Sequence, residues 1–167
     1  VYRTLDKMRS KIPDLAIRTT FILGYPGETE ADFNVLLEFI ERIRFDRVGA
    51  FQYSFEPGTA AEDLGDPVAP ETKQSRWERL MELQQGISLE RNQSFVGKKL
   101  DVLIEGHGDG ISIGRSYRDA PEIDGLVVIE DELPIREIVP IRITGAMVYD
   151  LTGVLASEDQ PAIKQPE

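Results

Sequence analysis

Cysteine is missing from all 167 residues. That absence excludes a disulfide framework, a thiolate nucleophile, a thiolate zinc site and iron–sulfur ligation by these residues. Histidine occurs once, as His107, so a histidine-rich metal site is excluded too, and no metal ligands are assigned. No apolar run approaches the roughly 18–20 residues of a membrane-spanning helix, and no signal-peptide pattern opens the chain. Positive charge is scarce: 19 Lys and Arg face 30 Asp and Glu, a formal −11, with a pI near 4.6. So acidic a chain repels phosphate backbones in general. What remains, 41% hydrophobic and 29% charged residues, is an ordinary globular composition. The length suits one large domain or two small ones. The chain opens at Val1 inside a helical pattern, which reads as a piece of a longer polypeptide.

Two regions differ in period. Leu5, Met8 and Ile12 have helical spacing, and Pro13 stops that helix. The β-branched run from Leu15 to Gly24 suits a parallel strand buried on both faces. Tyr25-Pro26-Gly27-Glu28 is a turn by composition, and Thr29 can cap the helix that follows. Phe33, Leu36, Leu37, Ile40 and Ile43 line one face of that helix. Val48 to Ser54 reads as a second strand, and Phe55 to Ala69 as a long loop. From Pro70 a long helix carries Trp77, Leu80, Met81 and Ile87 towards Phe95. Trp77 reads as a domain-interface anchor, and Gly86 marks close packing. Such alternation signals parallel α/β architecture. Beyond it, five short strand-like runs in about 60 residues predict a small antiparallel barrel of the OB kind. The expected layout is an α/β part over 1–95, with its connecting helix at 70–95, then a β-barrel over 96–157 and a flexible tail over 158–167. Two strands alone make no covered parallel sheet, so further strands are expected upstream.

The first candidate site is the segment Arg18 to Thr29. Ligands of α/β sheets bind beyond the carboxyl ends of strands, where loops converge. Gly24 and Gly27 permit close approach of the backbone, Pro26 stiffens the turn, and Glu28 can accept from an ammonium group or support the cap. A tight turn with no ligand explains the same residues.

The string Arg18-Thr19-Thr20-Phe21-Ile22-Leu23-Gly24-Tyr25-Pro26-Gly27-Glu28-Thr29, followed by Phe45 to Ser54, resembles the radical-SAM methylthiotransferase family. Glu56-Pro57-Gly58-Thr59-Ala60-Ala61 and the helix Arg79 to Gln85 extend the resemblance, which reaches about Ser157. Gly114-Arg115-Ser116-Tyr117-Arg118-Asp119-Ala120-Pro121-Glu122-Ile123-Asp124-Gly125 looks like the RimO branch, whose members modify an aspartate of ribosomal protein S-twelve. The resemblance implies the last strands and helices of a partial (β/α) radical-SAM barrel, followed by a TRAM domain that engages the substrate. It implies S-adenosyl-L-methionine and two 4Fe-4S clusters in the full-length enzyme, with the cluster cysteines outside this chain. This chain alone is expected to be inactive and to bind S-adenosylmethionine weakly or not at all. Cofactor contacts would come from Gly24, Pro26, Gly27 and Glu28, with Thr20 deeper on the same face. Phe51 and Tyr53 share a face, and either core packing or adenine contact explains them. No catalytic residue is assigned.

The second candidate is the loop Arg115 to Asp124, too polar for a core segment. Arg115, Tyr117, Arg118, Asp119, Glu122 and Asp124 are the substrate-binding candidates, a solvated hairpin loop being the plainer reading. Residues 98–157 hold six Lys/Arg against eleven Asp/Glu, a net of −5. RNA-gripping barrels present basic grooves with stacking aromatics. An acidic barrel instead complements a basic protein such as S-twelve. The expected partners are therefore that protein and the upstream domains of the same polypeptide, in a cytoplasmic monomer, with tRNA and membranes disfavoured. The alternatives are the same portion of a tRNA (adenosine) methylthiotransferase, or a non-catalytic OB-type binding module.

Overall fold

A computed structural model describes residues 1–156 and divides the chain into two compact units, Val1–Ile87 and Ser88 onward. The expected tail over 158–167 lies outside the described residues. In the first unit, helix α1 (Tyr2–Lys11) leads to strand β1 (Arg18–Leu23), helix α2 (Glu30–Ile43) and strand β2 (Arg47–Gln52). A loop with one 3-10 turn at Glu62–Leu64 then reaches helix α3 (Pro70–Gln93). The sequence explains the sharpest boundary. Thr29 and Asp32 form a capping box at the start of α2: the Thr29 hydroxyl accepts from the Asp32 amide, while the Thr29 amide donates to the Asp32 carboxylate. At the other end Arg44 takes a left-handed conformation, and its amide donates to the Ile40 carbonyl.

β1 and β2 pair in parallel, with Thr20 opposite Gly49 and Ile22 opposite Phe51. Asp46 staples the entry to both strands: its carboxylate accepts from the Ile17 amide at 2.9 Å, and its own amide donates to the Ile17 carbonyl. One face of the pair packs on a core of Leu23, Phe33, Ile40, Ile43, Phe45 and Leu80. The other face stays open, with Ile22 58% and Phe51 65% exposed. This corrects the expectation of a strand buried on both sides. The apolar run predicts burial because it counts residues, not covering layers.

The second unit holds β3 (Lys99–Gly108), β4 (Ile111–Ser116), β5 (Val127–Ile129), β6 (Ile138–Ala146) and β7 (Leu151–Leu155). They close a five-stranded barrel in the order β3-β4-β5-β7-β6. Four of its ladders are antiparallel, as the short runs suggest, and β5–β7 is parallel. Alternate residues point inward: Leu100, Val102 and Ile104 from β3 meet Ile129, Ile141 and Ile143 in the core. The division between units falls inside α3. Its later residues Ser88 and Asn92 are buried, and Asn92 donates to the Met147 carbonyl of the barrel at 2.9 Å. Two expectations fail locally. A methyl group built at Gly86 meets nothing within 4 Å, so no close packing explains that glycine. Trp77 packs within the first unit, where its indole N–H donates to the Ala50 carbonyl at 2.9 Å.

Candidate functional site

The carboxyl ends of β1 and β2 surround a hollow of about 330 Å³, lined by Thr20, Ile22, Phe51, Tyr53, Glu56 and Thr59. Strand alternation puts Thr20, Ile22 and Phe51 on the open sheet face, because register pairs them across one side. The Tyr53 ring meets Tyr25 edge-on with centroids 5.3 Å apart. Its hydroxyl is buried and has no hydrogen-bond partner among the described residues. A buried phenol without a partner costs free energy, and this one belongs to a residue that lines the hollow. Phe51 is mostly exposed, so its ring lies outside the core of the first unit.

The turn after β1 adjoins the hollow without lining it. Gly24 has φ +73° and lies under the Lys73 stem; a Cβ there would sit 2.5 Å from Lys73 Cγ. Only glycine combines that backbone with that contact. Gly27, at φ +93°, meets nothing within 4 Å, and the Glu28 amide donates to the Tyr25 carbonyl across Pro26. The Glu28 carboxylate is already engaged. It accepts from the Gly24 amide at 3.0 Å and from the Arg76 guanidinium at 2.6 Å. These bonds tie the turn to α3, whereas the cap of α2 is made by Thr29 and Asp32.

Sequence reasoning missed Lys73 and Arg76, both buried on α3. The Lys73 ammonium donates to the Tyr53 carbonyl at 2.9 Å and to the Asp66 carboxylate at 2.7 Å. The available signal was helical spacing: Lys73, Arg76, Leu80, Gln84 and Ile87 are all buried along one line of α3. Polar members hid that stripe.

In the barrel, the Arg115–Asp124 candidates divide. Arg118 and Asp119 are buried, which corrects the reading of this loop as too polar for the interior. The Arg118 guanidinium stacks 3.9 Å from the Phe95 ring centroid and donates to Asn92 at 3.2 Å. Asp119 accepts from the Ser116 hydroxyl at 2.9 Å. Asp124 accepts from the Ala120 amide at 2.8 Å, closing the loop on itself. Arg115 pairs with Glu105 at 2.6 Å across β3 and β4. Tyr117, 56% exposed, Glu122 and Ile123 face outward. His107 lies at the far hairpin, with Nδ1 3.9 Å from a Glu132 carboxylate oxygen. Among the described residues no group of His, Cys, Asp and Glu is arranged to hold a metal ion, and no helix is long and apolar enough to cross a membrane.

Comparison with known proteins adds two findings. Residues 96–155 match the family model of the TRAM domain. Over 90% of its length the chain is 53% identical to a ribosomal protein uS12 methylthiotransferase RimO from Chloroflexus aurantiacus. Proteins of the same name from Thermus thermophilus and Prochlorococcus marinus are 49% and 51% identical over 92% and 96% of the chain. The chain spans 34–36% of the length of these relatives.

Proposed function

We propose, from the premise that this chain is RimO-type in sequence and carries a TRAM domain at 96–155, that it is the carboxyl-terminal portion of an enzyme that methylthiolates an aspartate of ribosomal protein uS12. The observation that carries the reading is the near-50% identity to three RimO proteins over nine-tenths of the chain or more. In this reading the first unit contributes one edge of an S-adenosylmethionine pocket and the barrel docks the substrate protein.

The residues at the strand ends fit a nucleoside-bearing cofactor. The Thr20 hydroxyl offers a polar contact, and the exposed Phe51 ring offers an apolar face. When bound, S-adenosylmethionine supplies the hydrogen-abstracting chemistry of radical-SAM enzymes. Gly24, Pro26, Gly27 and Glu28 act indirectly, by holding the turn beside the hollow. The iron–sulfur clusters are a different case. With no cysteine in the chain, the donor set does not fit a cluster, and any ligands lie elsewhere in the enzyme.

Substrate capture follows from charge. A barrel region with a net −5 attracts a basic protein and repels RNA. Tyr117, Glu122 and Arg115 are its accessible loop contacts, while Arg118, Asp119 and Asp124 shape the loop. The deciding experiment uses the full-length, cluster-reconstituted enzyme with S-adenosylmethionine and either uS12 or tRNA. Mass spectrometry is expected to find one methylthio group on an aspartate of uS12 and none on tRNA. Modification of tRNA alone overturns the reading.

A further inference from the structure

We infer that Lys73 is a positioning residue for the strand-end hollow, holding the 55–69 loop against the end of β2 through Asp66. The inference rests on the proposed S-adenosylmethionine site for its ligand, but the latch itself rests on geometry. The Lys73 side chain is 5% exposed, although it ends in an ammonium group. One of that group's bonds goes to the Tyr53 carbonyl, where the β2 backbone leaves the ladder; the others go to both Asp66 carboxylate oxygens. Its stem fills the space over Gly24, and the ammonium lies 5.4 Å from the Tyr53 ring centroid. A single side chain therefore touches the ends of both strands, the aromatic floor of the hollow and the returning loop.

Among the described residues the loop has no comparable side-chain tether of its own. Its other bonds are local: Gly58 donates to Glu62, Thr59 to the Glu56 carbonyl, and Gly65 to the Glu62 carbonyl. Glu56 and Thr59 form one wall of the hollow. Apart from the Ala69 carbonyl, which accepts from the first amides of α3, Asp66 is the described loop residue whose side chain reaches α3. A buried ammonium is tolerated only while its acceptors stay in place, so release of Asp66 destabilises the loop end and the Tyr53 carbonyl contact together. Lys73 touches no ligand in this account. It acts through Tyr53 and the loop.

The test compares Asp66→Asn, Lys73→Met and Lys73→Arg, each in the 167-residue chain and in the full-length holoenzyme. In the chain, glutamyl endopeptidase cleavage after Glu62 is followed by mass spectrometry under native conditions, with circular dichroism as the check on folding. Asp66→Asn and Lys73→Met are expected to cleave about tenfold faster than wild type, the rate tracking the open population. Lys73→Arg, which keeps the charge, recovers part of the protection. In the holoenzyme the dissociation constant for S-adenosylmethionine is expected to rise about five- to tenfold in the same two variants. Unchanged cleavage in the folded Asp66→Asn variant overturns the latch. Faster cleavage with unchanged cofactor affinity overturns the positioning role. Wild-type holoenzyme that binds no S-adenosylmethionine overturns the cofactor reading and the positioning role together, while the cleavage rates still judge the latch.

Discussion

Gly24 concentrates two constraints, a left-handed backbone and a lysine stem where a side chain would project. Gly24→Ala is expected to destabilise the first unit by about 1–2 kcal/mol from the backbone alone, with the Lys73 contact adding to that, read as a lower urea midpoint. Gly27→Ala carries the backbone cost without the contact, because nothing lies within 4 Å of its Cβ position. The loop of the barrel calls for the same distinction between shape and contact. Glu122→Lys is expected to weaken binding of the full-length enzyme to uS12 without moving its unfolding midpoint. Asp124→Ala instead lowers that midpoint, because the Ala120 amide loses its acceptor. The sequence made this loop visible as a feature. It could not say which charges face inward, because burial of Arg118 depends on Phe95 and Asn92, which lie more than twenty residues away.

Among the elements, α2 was the most legible, since its apolar spacing and its cap residue are both local. The cap carries a pH signature. Bonds from the Thr29 hydroxyl and then its backbone amide hold the Asp32 carboxyl below the usual carboxylate range. A depressed folded value means the contribution is present above the unfolded pKa and is lost as pH falls through the folded one. The stability gap between wild type and Asp32→Asn is therefore expected to shrink on acidification, as urea midpoints across a pH series would show. Thr29→Ala removes the reciprocal bond and costs about 1 kcal/mol. α3 was legible in extent but not in orientation. Its buried line mixes Lys73, Arg76 and Gln84 with Leu80 and Ile87, so apolar counting found only two of these five. The barrel's strand count follows from short runs and turn residues. The parallel β5–β7 ladder does not, because pairing order is set by closure.

On the scale of the whole molecule, charge and missing thiols dominate. Attraction between a −11 chain and a cationic protein weakens with salt. Affinity of the full-length enzyme for uS12 is accordingly expected to fall as ionic strength rises, while tRNA binding stays negligible throughout; a steep salt-dependent tRNA affinity would contradict the protein-substrate reading. Incubating the purified 167-residue chain with iron and sulfide is expected to leave its visible spectrum blank. The Trp77 indole adds a last consequence. By occupying the Ala50 carbonyl, on the margin of β2 that no strand among the described residues joins, it hems that border of the sheet. Any lengthening of the ribbon on that side, by a neighbouring stretch of polypeptide or by a stray second molecule, meets an acceptor that is already taken.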